Sequence, residues 1–137
     1  MKDTAMSHAE KLGLLRGALL EVLGNHDATK VGDYFTDDAV IIINEKRLEG
    51  KQQISDRLNW IRANTGNISV TIHRAFFHEN QGFDHHTTEA VTADGEPVTF
   101  KIFGYCELRD GKICLYEDVT IQTAGKEAMH VATSSRI

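Results

Sequence analysis

The chain has 137 residues, of which 41% are hydrophobic and 26% charged, with a net charge of −5. This composition fits one globular domain and excludes a membrane span, since no apolar run reaches about 18 residues. No dense block of Lys and Arg follows a phosphate backbone, which argues against nucleic-acid partners.

The opening Met1-Lys2-Asp3-Thr4-Ala5-Met6 lacks the apolar core of a secretory signal, so the cytoplasm is the expected location. Residues 1–7 read as a flexible leader. From His8 to Leu23, apolar residues at Leu12, Leu15, Leu19, Val22 and Leu23 fall on one side of an amphipathic helix. Gly24-Asn25 stops it, because both residues tolerate the left-handed conformation. Asp27 caps a short second helix through Phe35, and Thr36-Asp37-Asp38 reads as a turn. The β-branched run Ala39 to Ile43 is a buried strand. A third helix follows from about Lys51 to Ala63 with an inner stripe of Ile54, Leu58 and Ile61, flanked by Trp60.

Four strands complete the pattern: Ile68 to His78, Phe83 to Ala93, Val98 to Leu108 and Ile113 to Thr123. Asp94-Gly95 and Asp110-Gly111 are hairpin turns between the last three. Residues 124–137 carry no clear pattern and read as a tail. Helices first and an antiparallel meander afterwards define an α+β fold with helices on one face of a sheet. Cys106 and Cys114 make no disulfide framework, and no CxxC or HExxH marks a zinc site. No metal or cofactor is expected.

Asp118 stands out. A carboxylate in the apolar strand Ile113-Cys114-Leu115-Tyr116-Glu117-Asp118-Val119 needs a partner or a task. Its neighbours depend on hairpin register. Two-residue loops at both Asp-Gly turns put Asp118 and His86 opposite Phe103. One face then carries His86, Thr88, Lys101, Phe103, Tyr105, Tyr116 and Asp118. A three-residue second loop with a glycine bulge instead places Asp118 on a face with Ile102 and Cys106. Either way Tyr116 and Asp118 share a face, being two apart on a strand. Alternation along Val70-Thr71-Ile72-His73-Arg74-Ala75-Phe76 puts Arg74 and Phe76 beside Val70 and Ile72. There Arg74 binds a carboxylate ligand or pairs with an acid such as Asp118. Neither sheet face reads as plainly wet, which points to a pocket on one side and a second subunit, hence a homodimer, on the other.

The stretches His26-Asp27-Ala28 through Tyr34-Phe35-Thr36-Asp37-Asp38-Ala39-Val40 and Leu48-Glu49-Gly50-Lys51-Gln52-Gln53-Ile54 resemble the nuclear transport factor 2-like superfamily. The closing Gly104-Tyr105-Cys106-Glu107-Leu108-Arg109-Asp110-Gly111-Lys112-Ile113 with Tyr116-Glu117-Asp118 resembles its SnoaL-like branch, so the resemblance spans residues 8–123. It implies a cone-shaped barrel: a strongly curved, mostly antiparallel sheet wrapped around the N-terminal helices, with a cavity inside and dimerisation through the outer sheet face. It also implies an acid on the last strand, matched by Asp118. The epoxide hydrolase branch wants an Arg and an Asp two apart on an earlier strand, where this chain has Ala90 and Thr92. Ketosteroid isomerases carry an Asp base where this chain has Ile41-Ile42-Ile43.

These readings give a small-molecule-binding domain for a hydrophobic or aromatic ligand, with cofactor-free acid–base chemistry of isomerase, cyclase or dehydratase type. Asp118 and His86 are the candidate catalytic groups. Tyr34, Trp60, Arg74, Phe76, Thr88, Phe103, Tyr105 and Tyr116 are the candidate ligand contacts. The alternative is a non-catalytic binding or assembly module.

Overall fold

The computed structural model describes residues 5–129. Helix α1 (His8–Gly17) starts at a capping box: Ser7 accepts from the Glu10 backbone N–H, and Glu10 accepts from the Ser7 N–H. The helix widens into a π-helical turn over Ala18–Gly24. A 3₁₀ turn (Ala28–Lys30), capped as expected by Asp27, leads into α2 (Val31–Tyr34). Strand β1 (Phe35–Ile43) begins earlier than its β-branched run, so Thr36-Asp37-Asp38 is strand rather than turn. A tight turn at Asn44 and Glu45, both at positive φ, then gives the short β2 (Lys46–Glu49), which carries no apolar alternation that would announce it. Helix α3 (Gly50–Asn64) buries Ile54, Leu58 and Ile61, the stripe expected from its periodicity. Four long strands follow: β3 (Thr65–His78), β4 (Gln81–Thr92), β5 (Pro97–Arg109) and β6 (Lys112–Ala124).

The six strands form one curved, unclosed sheet in the order β2-β1-β6-β5-β4-β3, with the N-terminal helices against its concave side. All pairs are antiparallel except β1 with β6, which run parallel. The main core joins Leu15, Leu19, Val22 and Val31 from the helical layer to Phe35, Ile41, Ile113 and Tyr116 from the sheet. A second cluster, Ala90, Val98, Phe100 and Ile102, is covered by Ala128. The leader expected over 1–7 and the tail expected over 124–137 lie partly outside the described residues. Within them, Ser7 is a cap, and Ala128 is buried.

Three irregularities set the registers. Between β5 and β6, Asp110 and Gly111 form a two-residue turn, both at positive φ. A bulge at Cys114 then moves the pairing by one, so Asp118 lies opposite Gly104 and not Phe103. Between β4 and β5 the loop is three residues, Ala93-Asp94-Gly95, closed by Thr92 N–H to Glu96 C=O at 2.9 Å. His86 therefore lies opposite Ile102, and His85 opposite Phe103. The third irregularity, at His73 in β3, breaks the alternation: Ile72 pairs with His86, whereas Arg74 pairs with His85. One-residue shifts turn side chains to the other face of a sheet. Asn44 locks the region beside Asp118. Its backbone N–H donates to the Asp118 carbonyl at 3.1 Å. Its side chain accepts from Thr120 N–H at 2.8 Å and donates to the Thr120 carbonyl at 2.9 Å.

Candidate active site

Alternation on the concave face brings four polar groups into an apolar interior. Asp84 and His86 come from β4, and Asp118 and Thr120 from β6. Gly104 lies between Asp84 and Asp118 in the ladder, and its missing side chain leaves room that Tyr116 and Asp84 use. A Cβ there would meet Tyr116 Oη at 2.2 Å and Asp84 Oδ2 at 2.6 Å. Tyr116 is fully buried, and its hydroxyl donates to Asp84 Oδ2 at 3.1 Å. Asp84 Oδ1 lies 2.6 Å from His86 Nδ1, and both side chains are almost wholly shielded. A carboxylate oxygen accepts, so Nδ1–H is the donor in this bond, and Nε2 is the ring's other polar atom.

Asp118 is 8% exposed, and Thr120 donates its hydroxyl to Asp118 Oδ1 at 2.9 Å. Burial pushes the Asp118 carboxyl up to about 7; the Thr120 hydroxyl and nearby His86 pull against this, while Asp84 adds to it. Burial first, then the Asp84 and Asp118 carboxylates, raise the Tyr116 phenol well above its usual range, so it is a donor and not a base. Burial likewise pushes the Cys106 thiol up to about 12, which leaves it inert at neutral pH.

Asp118, His86, Thr88 and Thr120 line one cavity with Ile41, Ile43 and Ile102 from the sheet. Leu23, His26, Ile54, Arg57, Leu58 and Ile61 close it from the helical side. The cavity volume is about 80 Å³. The cleft is narrow. Among the described residues no three His, Cys, Asp or Glu side chains gather so as to hold a metal ion.

Of the expected site residues, Asp118, His86 and Thr88 face this cavity. Tyr116 shares the Asp118 face but lies beneath it, engaged by Asp84. The others lie elsewhere. Phe76, Phe103 and Tyr105 are on the convex face, where Phe76 is 54% and Phe103 48% exposed, because the β3 bulge and the two hairpin registers turn them outward. Arg74 is exposed on that same side and does not pair with Asp118. Tyr34 packs over Gly17 of α1. Trp60 packs against the second core cluster, with the Arg57 guanidinium carbon 4.4 Å from its ring centroid. Sequence reasoning missed Asp84, although its spacing two before His86 on a strand marks the pair as sharing a face. His26 and Arg57 were also missed.

The structure is thus an α+β cone with acid and imidazole groups facing its hollow. The chain belongs to the SnoaL-like domain family of the nuclear transport factor 2-like superfamily, whose pattern it matches over residues 17–116. No curated protein sequence matches it. Solved structures share the fold at low identity. An M. tuberculosis LEH-like epoxide hydrolase is 24% identical, with a TM-score of 0.70 over 83% of this chain and 84% of its own. A Jannaschia protein provisionally classed as a SnoaL-like polyketide cyclase is 13% identical, with a TM-score of 0.73 over 88% and 91%. A Catenulispora acidiphila protein of ketosteroid isomerase-like fold, solved with trimethylamine, is 17% identical, with a TM-score of 0.67 over 82% and 85%.

Proposed function

We propose that this domain binds a small hydrophobic molecule in the cone and moves a proton on it by acid–base chemistry supplied by Asp118 and His86. What supports this is the placement of the Asp118 carboxyl, buried at the wall of a mostly apolar cavity, where desolvation raises its pKa to about 7. A carboxyl near neutrality exists in both forms at working pH, so it both takes and returns a proton. His86, oriented through Nδ1 by Asp84, supplies a complementary donor or acceptor at the same wall. The chemistry fits isomerisation, cyclisation or dehydration without a cofactor. Epoxide opening of the kind named for the Mycobacterium relative is disfavoured, because Ala90 and Thr92 stand where the Arg and Asp of that branch are expected. The test is a thermal-shift screen of hydrophobic metabolites, in which a binder raises the melting temperature. Binders are then incubated in D₂O and followed by NMR. At least one binder should acquire carbon-bound deuterium with the native protein and not with Asp118→Asn. Binding without exchange or turnover in any case would favour a ligand-binding module.

The convex face carries Phe76, Phe83, Phe103, Val119 and Ile121, each at least 38% exposed. Its rings pack on one another: Phe76 stacks on Phe83 at 5.3 Å, and His85 stacks on Phe103 at 4.4 Å. A contiguous apolar surface of this kind suits a second copy of the chain, and the proposed assembly is a homodimer through this face. Sedimentation at micromolar concentration should give the mass of two chains, with Phe103→Glu giving one. A native single-chain mass would contradict it. The setting proposed is the cytoplasm, where Cys106 and Cys114, both free, stay reduced. No described helix is long and apolar enough to cross a membrane.

A further inference from the structure

The helical wall of the cavity holds a polar group that the proton-moving site does not use. His26 follows the π-helical turn of α1 at φ 55, a left-handed conformation that histidine adopts more readily than most residues. The flanking backbone fixes it: Asn25 N–H donates to the Leu20 carbonyl at 3.0 Å and Asp27 N–H to the Glu21 carbonyl at 3.1 Å. The ring is 9% exposed, lines the cavity, and has a buried Nδ1 with no hydrogen-bond partner among the described residues. A buried polar nitrogen without a partner is costly, on the order of 1–3 kcal/mol, and calls for an explanation. A ligand in the cavity supplies one.

The chemistry of that ligand group follows from the field around the ring. Arg57 lines the same cavity, and Arg57 and Arg62 both act on His26 electrostatically. Burial first, and then these two cations, hold the imidazole pKa down to about 4, so the ring is neutral at pH 7 with one N–H to give. A neutral imidazole beside positive charge suits an electron-rich oxygen. The cation attracts the oxygen, and the Nδ1–H tautomer donates to it without bringing a charge of its own. We propose that His26, with Arg57 beside it, anchors an acceptor oxygen, carbonyl or carboxylate, on an otherwise apolar ligand. The ligand then spans the cone, its oxygen at the helical wall and its reacting carbon near Asp118 and His86 on the sheet. This placement rests on the acid–base reading above; the anchoring role of His26 does not.

The test uses three probes of similar length that suit a narrow cleft: hexanoate, 2-heptanone and heptane. Binding is read on the native protein, Asp118→Asn, His26→Phe and His26→Asn, the last keeping a residue that tolerates the left-handed backbone. Imidazole ¹⁵N shifts of His26 are recorded with each probe. The native protein and Asp118→Asn should bind hexanoate, 2-heptanone or both at least ~10-fold more tightly than heptane, about 1.4 kcal/mol. The His26 Nδ1 resonance should move with the oxygenated probe alone, and His26→Phe should lose the preference. Preference for hexanoate over 2-heptanone identifies a carboxylate, and the reverse a carbonyl. Equal binding of all three probes, no binding at millimolar concentration, an unmoved His26 resonance, or a preference that survives in both His26 variants would overturn the proposal. A preference lost in Asp118→Asn but kept in the His26 variants would overturn it too, by assigning the oxygen to the acid. The acid–base reading fails separately, if no bound ligand exchanges or turns over.

Discussion

On the acid–base reading proposed above, Asp118→Asn should slow proton transfer by orders of magnitude and make the protein more stable near neutral pH. Loss of a positioned general acid or base costs typically ~10²–10⁴-fold in rate. Asparagine keeps the oxygen that accepts from the Thr120 hydroxyl at 2.9 Å, so the local geometry survives. The stability gain follows from linkage. Asp118 titrates at about 7 in the fold against 3.8 as a free side chain. Below the lower value both states are protonated, and the group contributes nothing. As pH rises from 3.8 the unfolded chain ionises first, so the native state loses stability until pH passes 7, where the loss levels off. At about 1.4 kcal/mol per pKa unit, the penalty is at most about 4 kcal/mol. Asparagine does not titrate, so the variant's advantage in urea unfolding should be small at pH 4, grow through pH 5 and 6, and level off above 7. An advantage that does not vary with pH would mean that the carboxyl titrates alike in both states.

Gly104→Ala should destabilise the protein by about 3 kcal/mol, roughly 10 °C in melting temperature. The added methyl would occupy the place of the Tyr116 hydroxyl and the Asp84 carboxylate, 2.2 and 2.6 Å from its ideal position. Both lie in the interior, and Tyr116 is 0% exposed, so neither moves aside into solvent. Displacing Asp84 also releases its bonds to Tyr116 and His86, so the variant should lose activity along with stability. Gly13→Ala is the control. It lies in α1 with nothing within 4 Å of a new Cβ, and should be neutral or stabilising by up to ~1 kcal/mol. Equal melting temperatures for the two variants would show that the space at Gly104 is not needed.

The elements were legible because their signals are local. Leu15, Leu19 and Val22 carry the period of the first helix, Ile54, Leu58 and Ile61 that of the third, and Asp110-Gly111 marks a tight hairpin. The face on which each side chain falls was less legible, because it depends on single-residue irregularities. The bulge at Cys114 turns Asp118 toward Gly104, and with it Tyr105 and Phe103 turn away from the cavity. The three-residue loop at Ala93-Asp94-Gly95 sets His86 beside Ile102. The break at His73 sends Arg74 and Phe76 outward while Ile72 stays in. Neither the Cys114 bulge nor the His73 break carries a glycine or proline in the bulged position, so nothing in composition announces these two. Asp84 was within reach, since strand alternation alone pairs it with His86. His26 was not, because its place in the cavity depends on a backbone turn that local periodicity does not encode.

The most direct measurement is the pKa of the Asp118 carboxyl, read by ¹³C NMR on selectively labelled protein with Asp118→Asn for assignment. A midpoint near 7 is expected, moving when a ligand fills the cone. A midpoint at or below 3.8, the value of an ordinary aspartate, would mean a solvated or ion-paired carboxylate, and Asp118 would then not be the group that moves the proton.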